Sequence, residues 1–168
     1  NFYEHYLRGN EDLFPYVCVR GMNGVWFDSN YNPITKKFEE NCNHTELILK
    51  PSIDTSGGAN VELVRKQMDG SWCIHEESFA SLCQLLEHKA GKSSHFVLQE
   101  RIRQHPWFAA WNQSSLNTIR MMTYRSVVDN AVHPLGAVVR FGRPGSLVDN
   151  QAAGGLTCGV LKNGKTGS

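Results

Sequence analysis

Apolar and polar positions along this chain switch between two periods. Short apolar or alternating runs bounded by turn residues predict strands, and one stripe at helical spacing predicts a helix. Residues 1–14 are polar and aromatic and read as a loop or the remnant of a preceding helix. Residues 16–28, YVCVRGMNGVWFD, read as two short strands around Asn23-Gly24, a pair that tolerates the positive φ angles of a two-residue hairpin. Thr35 is placed to cap a short helix running to about Cys42. ELILK, residues 46–50, is an apolar strand stopped by Pro51, and the polar loop SIDTSGGAN follows it. Val61 to Val64 resumes a strand, and Asp69-Gly70 marks a turn. Residues 76–90 place Phe79, Leu82, Cys83, Leu85 and Leu86 on one stripe that Gly91 ends, so a helix is expected there. HFVLQERI then reads as a strand, followed by an aromatic-rich crossing centred on Pro106. Residues 117–126 and 135–141 predict an antiparallel pair joined across Asp129-Asn130. GRPGSLVDNQAAGG is loop chemistry, TCGVL a short strand and NGKTGS a loop. Strands and helices mix without strict alternation, which predicts an α+β fold.

Composition narrows the class. The 168 residues, 40% hydrophobic and 20% charged, suit one soluble domain or two small ones. A net charge of +1 gives no general attraction to nucleic acid or to an anionic membrane, so neither is expected as a partner. Any anion must be held by a local cluster. No apolar run reaches the length of a membrane-spanning helix and no signal peptide opens the chain, so a cytoplasmic location is expected. The first residue is Asn1, which places the start inside a longer gene product or after processing. The five cysteines, Cys18, Cys42, Cys73, Cys83 and Cys158, are scattered and form no CxxC pair. They read as reduced, mostly buried thiols rather than a zinc site or a disulfide framework. The Asn-x-Thr/Ser triplets at Asn43 and Asn112 read as chance.

Four segments carry candidate chemistry. Lys50 ends an apolar strand, and Gly57 and Gly58 in the following loop allow backbone amides to converge on an anion. Lysine plus glycine loop is a reasonable phosphate cradle, distinct from a Walker A loop because the lysine comes first. The same residues also fit a hairpin loop with an exposed lysine. In VLQERI, residues 97–102, polar Gln99-Glu100 interrupt a buried strand and could offer backbone groups and a carboxylate to a flat heterocycle, with Ile102 over its face. A strand running out into solvent fits as well. Arg120 and Arg140 sit inside two strands, and a hairpin centred on Asn130 would put them directly opposite on one face. An anion between them would offset their repulsion; separate carboxylate partners would too. Last, Asp149-Asn150 with Gly154-Gly155 makes a loop able to approach a ligand closely.

The ordered set LILKPSIDTSGG, VLQERIRQHP, LNTIRMMTYR and VVRFGRPGSLVDNQAAGG, spanning about residues 45–160, resembles the ATP-grasp superfamily, and within it the sugar-transfer-associated branch. The resemblance implies two α+β subdomains clasping ATP. Residues 1–15 would be a remnant or linker, 16–102 the nucleotide-lid subdomain, and 103–168 the start of the second, truncated subdomain. It implies that Lys50 contacts the α- and β-phosphates and that Ser56, Gly57 and Gly58 form the closing loop. Gln99, Glu100, Arg101 and Ile102 would be the adenine hinge. Arg120 and Arg140 would face the γ-phosphate or an acyl phosphate, and Asn150 would lie near phosphate and acceptor. Arg20 would take the place of an earlier lysine. The implied reaction joins a carboxylate to an amine or other nucleophile through an acyl phosphate, in polysaccharide or sugar-conjugate biosynthesis. The superfamily holds Mg2+ with an acidic residue and a later Glu-x-Asn pair. The 18 residues after Asn150 contain no Asp or Glu, so no metal ligand is assigned in this chain, and the chain alone is expected to be inactive. The competing readings are a non-catalytic nucleotide-binding relic of the fold and an unrelated α+β interaction domain whose glycine loops are only turns.

Overall fold

A computed structural model describes residues 9–10, 13–35, 38–39, 42–53, 58–90 and 95–167. The fold is sheet-dominated α+β, in two compact units, Asn1–Ile102 and Arg103–Ser168.

The first unit is a 7-stranded sheet in the order β2-β1-β7-β3-β4-β5-β6. Its strands are β1 (Val17–Met22), β2 (Val25–Phe27), β3 (Glu46–Pro51), β4 (Glu62–Lys66), β5 (Trp72–Ile74), β6 (Glu77–Phe79) and β7 (Phe96–Glu100). Every pairing is antiparallel, and the late strand β7 inserts between β1 and β3. Residues that share one face by register make the core. Val19, Leu98, Leu49, Leu47, Val64 and Ile74 lie on this face and cluster with Leu82, Leu85 and Leu86 of the helix α1 (Leu82–Ala90). Fully burying such a side chain contributes roughly 1.5–3 kcal/mol. The β1–β2 turn is as the sequence predicts, with φ of 50° at Asn23 and 80° at Gly24. Gly21 is required for a different reason. A Cβ there would lie 2.2 Å from the Phe96 ring.

The helix expected from residue 76 begins at Leu82 instead. His75, at φ 52°, turns the chain, so that Glu77–Phe79 pairs back onto Trp72–Ile74 as a strand. Phe79 therefore reaches the core from a strand. The helix starts where its free amides find acceptors. Glu39 accepts from Leu82 N (2.8 Å) and Cys83 N (3.3 Å), and Ser81 Oγ accepts from Gln84 N (3.2 Å). The same Glu39 carboxylate accepts from Trp72 Nε1 at 2.8 Å. Much of the helix expected over 35–42 lies outside the described residues; Phe38 and Glu39 form a tight turn.

The second unit is a 4-stranded antiparallel sheet in the order β11-β10-β9-β8, from β8 (Thr118–Arg125), β9 (Val132–Phe141), β10 (Leu156–Val160) and β11 (Thr166–Gly167). A one-turn helix, α2 (Pro106–Ala109), precedes it, capped by His105 and opened by Pro106. Asn117 pins the segment before β8. It is buried, donates to the carbonyls of Phe108 (3.0 Å) and Asn112 (3.1 Å), and accepts from Ser115 Oγ (2.7 Å) and Gly142 N (3.2 Å).

Candidate functional site

Side-chain alternation places a second set of residues on the opposite face of the first unit's sheet. Arg20 on β1 pairs with Val97 on β7, and Val97 pairs in turn with Lys50 on β3. The two cations therefore flank Val97 on one face, with backbones about 10 Å apart at two strand spacings. Gln99 is two residues further along that face, opposite Ile48 and diagonal to Lys50. Lys50 is half-buried where β3 leaves the sheet. Nearby is a cavity of about 250 Å³ whose lining includes Lys50, Pro51, Asn60, Glu62, Lys89 and Phe96. Within it Lys89 pairs with Glu62 at 2.9 Å.

Arg20 is buried, and its guanidinium lies 4.8 Å from the centre of the Tyr31 ring. Tyr31, at φ 65°, belongs to a turn held by Asp28, whose carboxylate accepts from Asn30 N (2.8 Å), Asn32 N (2.9 Å) and Asn32 Nδ2 (3.1 Å). Hydrogen bonds from the Asn32 side chain and backbone hold the Asp28 carboxyl below its ordinary range. Sequence reading missed this brace; the D-x-N-x-N spacing at 28–32 was its available signal.

The expected hinge residues are placed unequally. Pairing of β7 ends at Glu100, opposite Leu47. The Glu100 carboxylate accepts from Tyr16 N at 2.8 Å and lies 3.9 Å from His44 Nδ1. Arg101 is turned to Glu46 at 3.0 Å, and Ile102 is exposed. The side chains of Glu100 and Arg101 are thus engaged within the protein, whereas Gln99 stands on the cationic face. Ser56 and Gly57 lie outside the described residues; Gly58 has φ 74°.

In the second unit Arg120 and Arg140 are not directly opposite. Arg140 faces Thr118, and Arg120 faces Val138. The hairpin closes with Ser126 N on Ala131 O, and a bulge follows at Met122/Thr123, opposite Gly136 and Pro134. Pro134 has no N–H to give the ladder, which suits a bulge. The two arginines still share a face, one diagonal step apart. Arg140 is buried and has a partner from its own chain, Asp149, at 3.3 Å. It also donates to Asn150, and Thr118 donates to Asp149. Arg140, Asp149, Asn150 and Thr118 therefore form one polar cluster, while Arg120 is exposed. The glycines of the 149–155 loop serve its own closure. A Cβ on Gly155 would lie 2.4 Å from the Asp149 carbonyl oxygen, and Gly154 has φ 83°. Among the described residues no three His, Cys, Asp or Glu side chains come together to hold a metal ion, and none of the helices is long and apolar enough to cross a membrane.

The first unit thus carries Arg20, Lys50 and Gln99 on one face of an antiparallel sheet, and the second unit carries a separate polar cluster of Arg140, Asp149, Asn150 and Thr118. The family model of sugar-transfer associated ATP-grasp proteins matches residues 26–168, and the chain belongs to that family. Membership sets aside the unrelated interaction domain. Comparison with curated proteins and with solved structures finds no match.

Proposed function

We propose that this chain supplies the nucleotide-binding part of an ATP-dependent ligase that activates a carboxylate as an acyl phosphate for attack by an amine or related nucleophile, in polysaccharide or sugar-conjugate biosynthesis. The observation that carries the reading is the flanking of Val97 by Arg20 and Lys50 on one sheet face, with Gln99 beside them. Two fixed cations over a small apolar floor suit a polyphosphate, and the polar exit of β7 suits the edge of adenine. In this reading Lys50 and Arg20 neutralise the α- and β-phosphates, and Ser56, Gly57 and Gly58 close over them. The backbone of 99–102 holds the base. Arg120 offers its charge to the γ-phosphate or the acyl phosphate. Arg140, already paired with Asp149, orients Asn150. The protein's contribution is positioning and charge neutralisation, with no covalent step.

The family's Mg2+ would supply charge neutralisation to the phosphates when bound. The described residues do not fit that ion: Asp149, the carboxylate of the matched loop, is taken by Arg140 and Thr118. The 168-residue chain is expected to bind nucleotide without turning it over. Titration calorimetry with ATP tests the binding, and Lys50→Ala binding as tightly as the wild type would overturn it. An ADP-release assay over a panel of carboxylates and amines tests the second expectation. Turnover that disappears in Lys50→Ala would show that metal ligands exist elsewhere in this chain.

A further inference from the structure

The bulge in β1 has a chemical result away from the cationic face. Val17 pairs with Gln99 and Val19 with Leu98, so Cys18 has no partner position on β7. The extra residue breaks the in-and-out alternation, and Val17, Cys18 and Val19 are all buried in succession. Cys18 and Val19 join the same core cluster, and Cys42, 24 residues away in sequence, joins it too. The Cys18 and Cys42 Sγ atoms lie 4.0 Å apart, with both side chains buried and both thiols free. The segment carrying Cys42 is anchored beside them by Cys42 N on Glu39 O at 3.1 Å.

We propose that Cys18 and Cys42 are an oxidisable dithiol, a site for a reversible intramolecular disulfide formed by exchange with a low-molecular-weight disulfide of the glutathione class. Bonding needs the sulfurs to close to about 2.0 Å, a movement of the size that side-chain rotation supplies. Cys42 is the first nucleophile. Its neutral thiol is the donor to Cys18 Sγ, and once it ionises the Cys18 S–H turns to donate to it; that contact, with the His44 backbone N–H, holds the Cys42 thiol below its ordinary range and pushes the Cys18 thiol up. The other ionisable groups facing the pair are Tyr16, Glu39, His44 and Glu100. The Cys42 thiolate attacks one sulfur of the oxidant, forming a mixed disulfide and expelling one glutathione thiolate, which takes a proton. Cys18, giving up its proton, attacks Cys42 Sγ and expels the second glutathione thiolate. Two protein thiols are oxidised by two electrons, one disulfide is reduced to two thiols, and the two protons pass to the leaving thiols.

The product would tie β1, which carries Arg20, to the segment whose Glu39 caps α1. The test uses the full chain, equilibrated over a series of reduced-to-oxidised glutathione ratios, approached from both directions, then alkylated in denaturant and mapped by mass spectrometry. The expected result is a Cys18–Cys42 linked peptide lacking two hydrogens, with the same half-oxidation ratio from both directions and full reversal by dithiothreitol. Cys73, Cys83 and Cys158 should remain alkylated. The oxidised wild type should also unfold at higher guanidinium concentration than the reduced protein. Five alkylated thiols at every ratio, or linkage through any of the other three cysteines, would overturn the proposal. A Cys42→Ser variant should lose the linked species, and the wild-type mapping decides the matter if that variant does not fold.

Discussion

Lys50 and Arg20 hold charge on the same face by different means, and their substitutions should differ accordingly. Lys50 is half-buried at the end of a strand, so Lys50→Ala removes a charge and little packing. ATP affinity should fall roughly 10- to 100-fold, the size of one charge-assisted contact, while the urea midpoint stays where it was. Calorimetry and equilibrium unfolding check the two halves. Arg20 is buried against Tyr31. Arg20→Lys keeps the charge and loses the planar stack, so it should weaken ATP binding and also lower the unfolding midpoint. Glu39 carries structure alone. Its carboxylate serves Leu82 N, Cys83 N and Trp72 Nε1 together. Glu39→Ala should lower the unfolding free energy by about 2–3 kcal/mol, since it removes a cap and orphans an indole N–H.

At the scale of elements, what was legible followed from local chemistry. Asn23-Gly24 announced a hairpin because few residues tolerate two successive positive φ angles. ELILK announced β3, and FVLQE a buried strand. The start of α1 was not legible, because its cap comes from Glu39, 43 residues before Leu82. The strand Glu77–Phe79 was absorbed into a helical stripe because Phe79 falls at a spacing that serves either element. The Arg120–Arg140 register failed for a similar reason. The hairpin closes between Ser126 and Ala131, ahead of the expected centre at Asn130, and the bulge at Pro134 recovers only one residue of that offset, while the partner Asp149 lies beyond the hairpin altogether. The D-x-N-x-N spacing at 28–32 signals the turn that carries Tyr31, but not that its ring lies against Arg20, which is a contact between segments distant in sequence. The β8–β9 hairpin also makes a pH prediction. The Asp129 carboxyl is held below its ordinary range by the Ala131 N–H first, then by Ser126 and His133. A lowered folded-state pKa adds stability that is complete above the unfolded value of about 3.9 and is lost as pH falls through the folded one. The tip amides of the hairpin, followed by NMR, should therefore loosen in acid. In Asp129→Asn this acid step should disappear.

For the whole molecule, bound nucleotide should act as a stabiliser by mass action. At a hundred-fold excess over Kd, ATP should add about 2.7 kcal/mol, read as a rise in Tm. Lys50→Ala should cancel most of that rise at the same concentration; a full rise would place the nucleotide elsewhere on the chain. The outermost described strand of the second unit bears on handling as well. β8 lies at the margin of its sheet, with Ile119, Met121, Met122 and Tyr124 all exposed. Such a margin invites a neighbouring copy to add its own strand. Arg120 and Arg125 interrupt the apolar run as charged gatekeepers against that growth. Arg120→Val should therefore lower the concentration at which the protein leaves solution, seen as light scattering that climbs with time and salt.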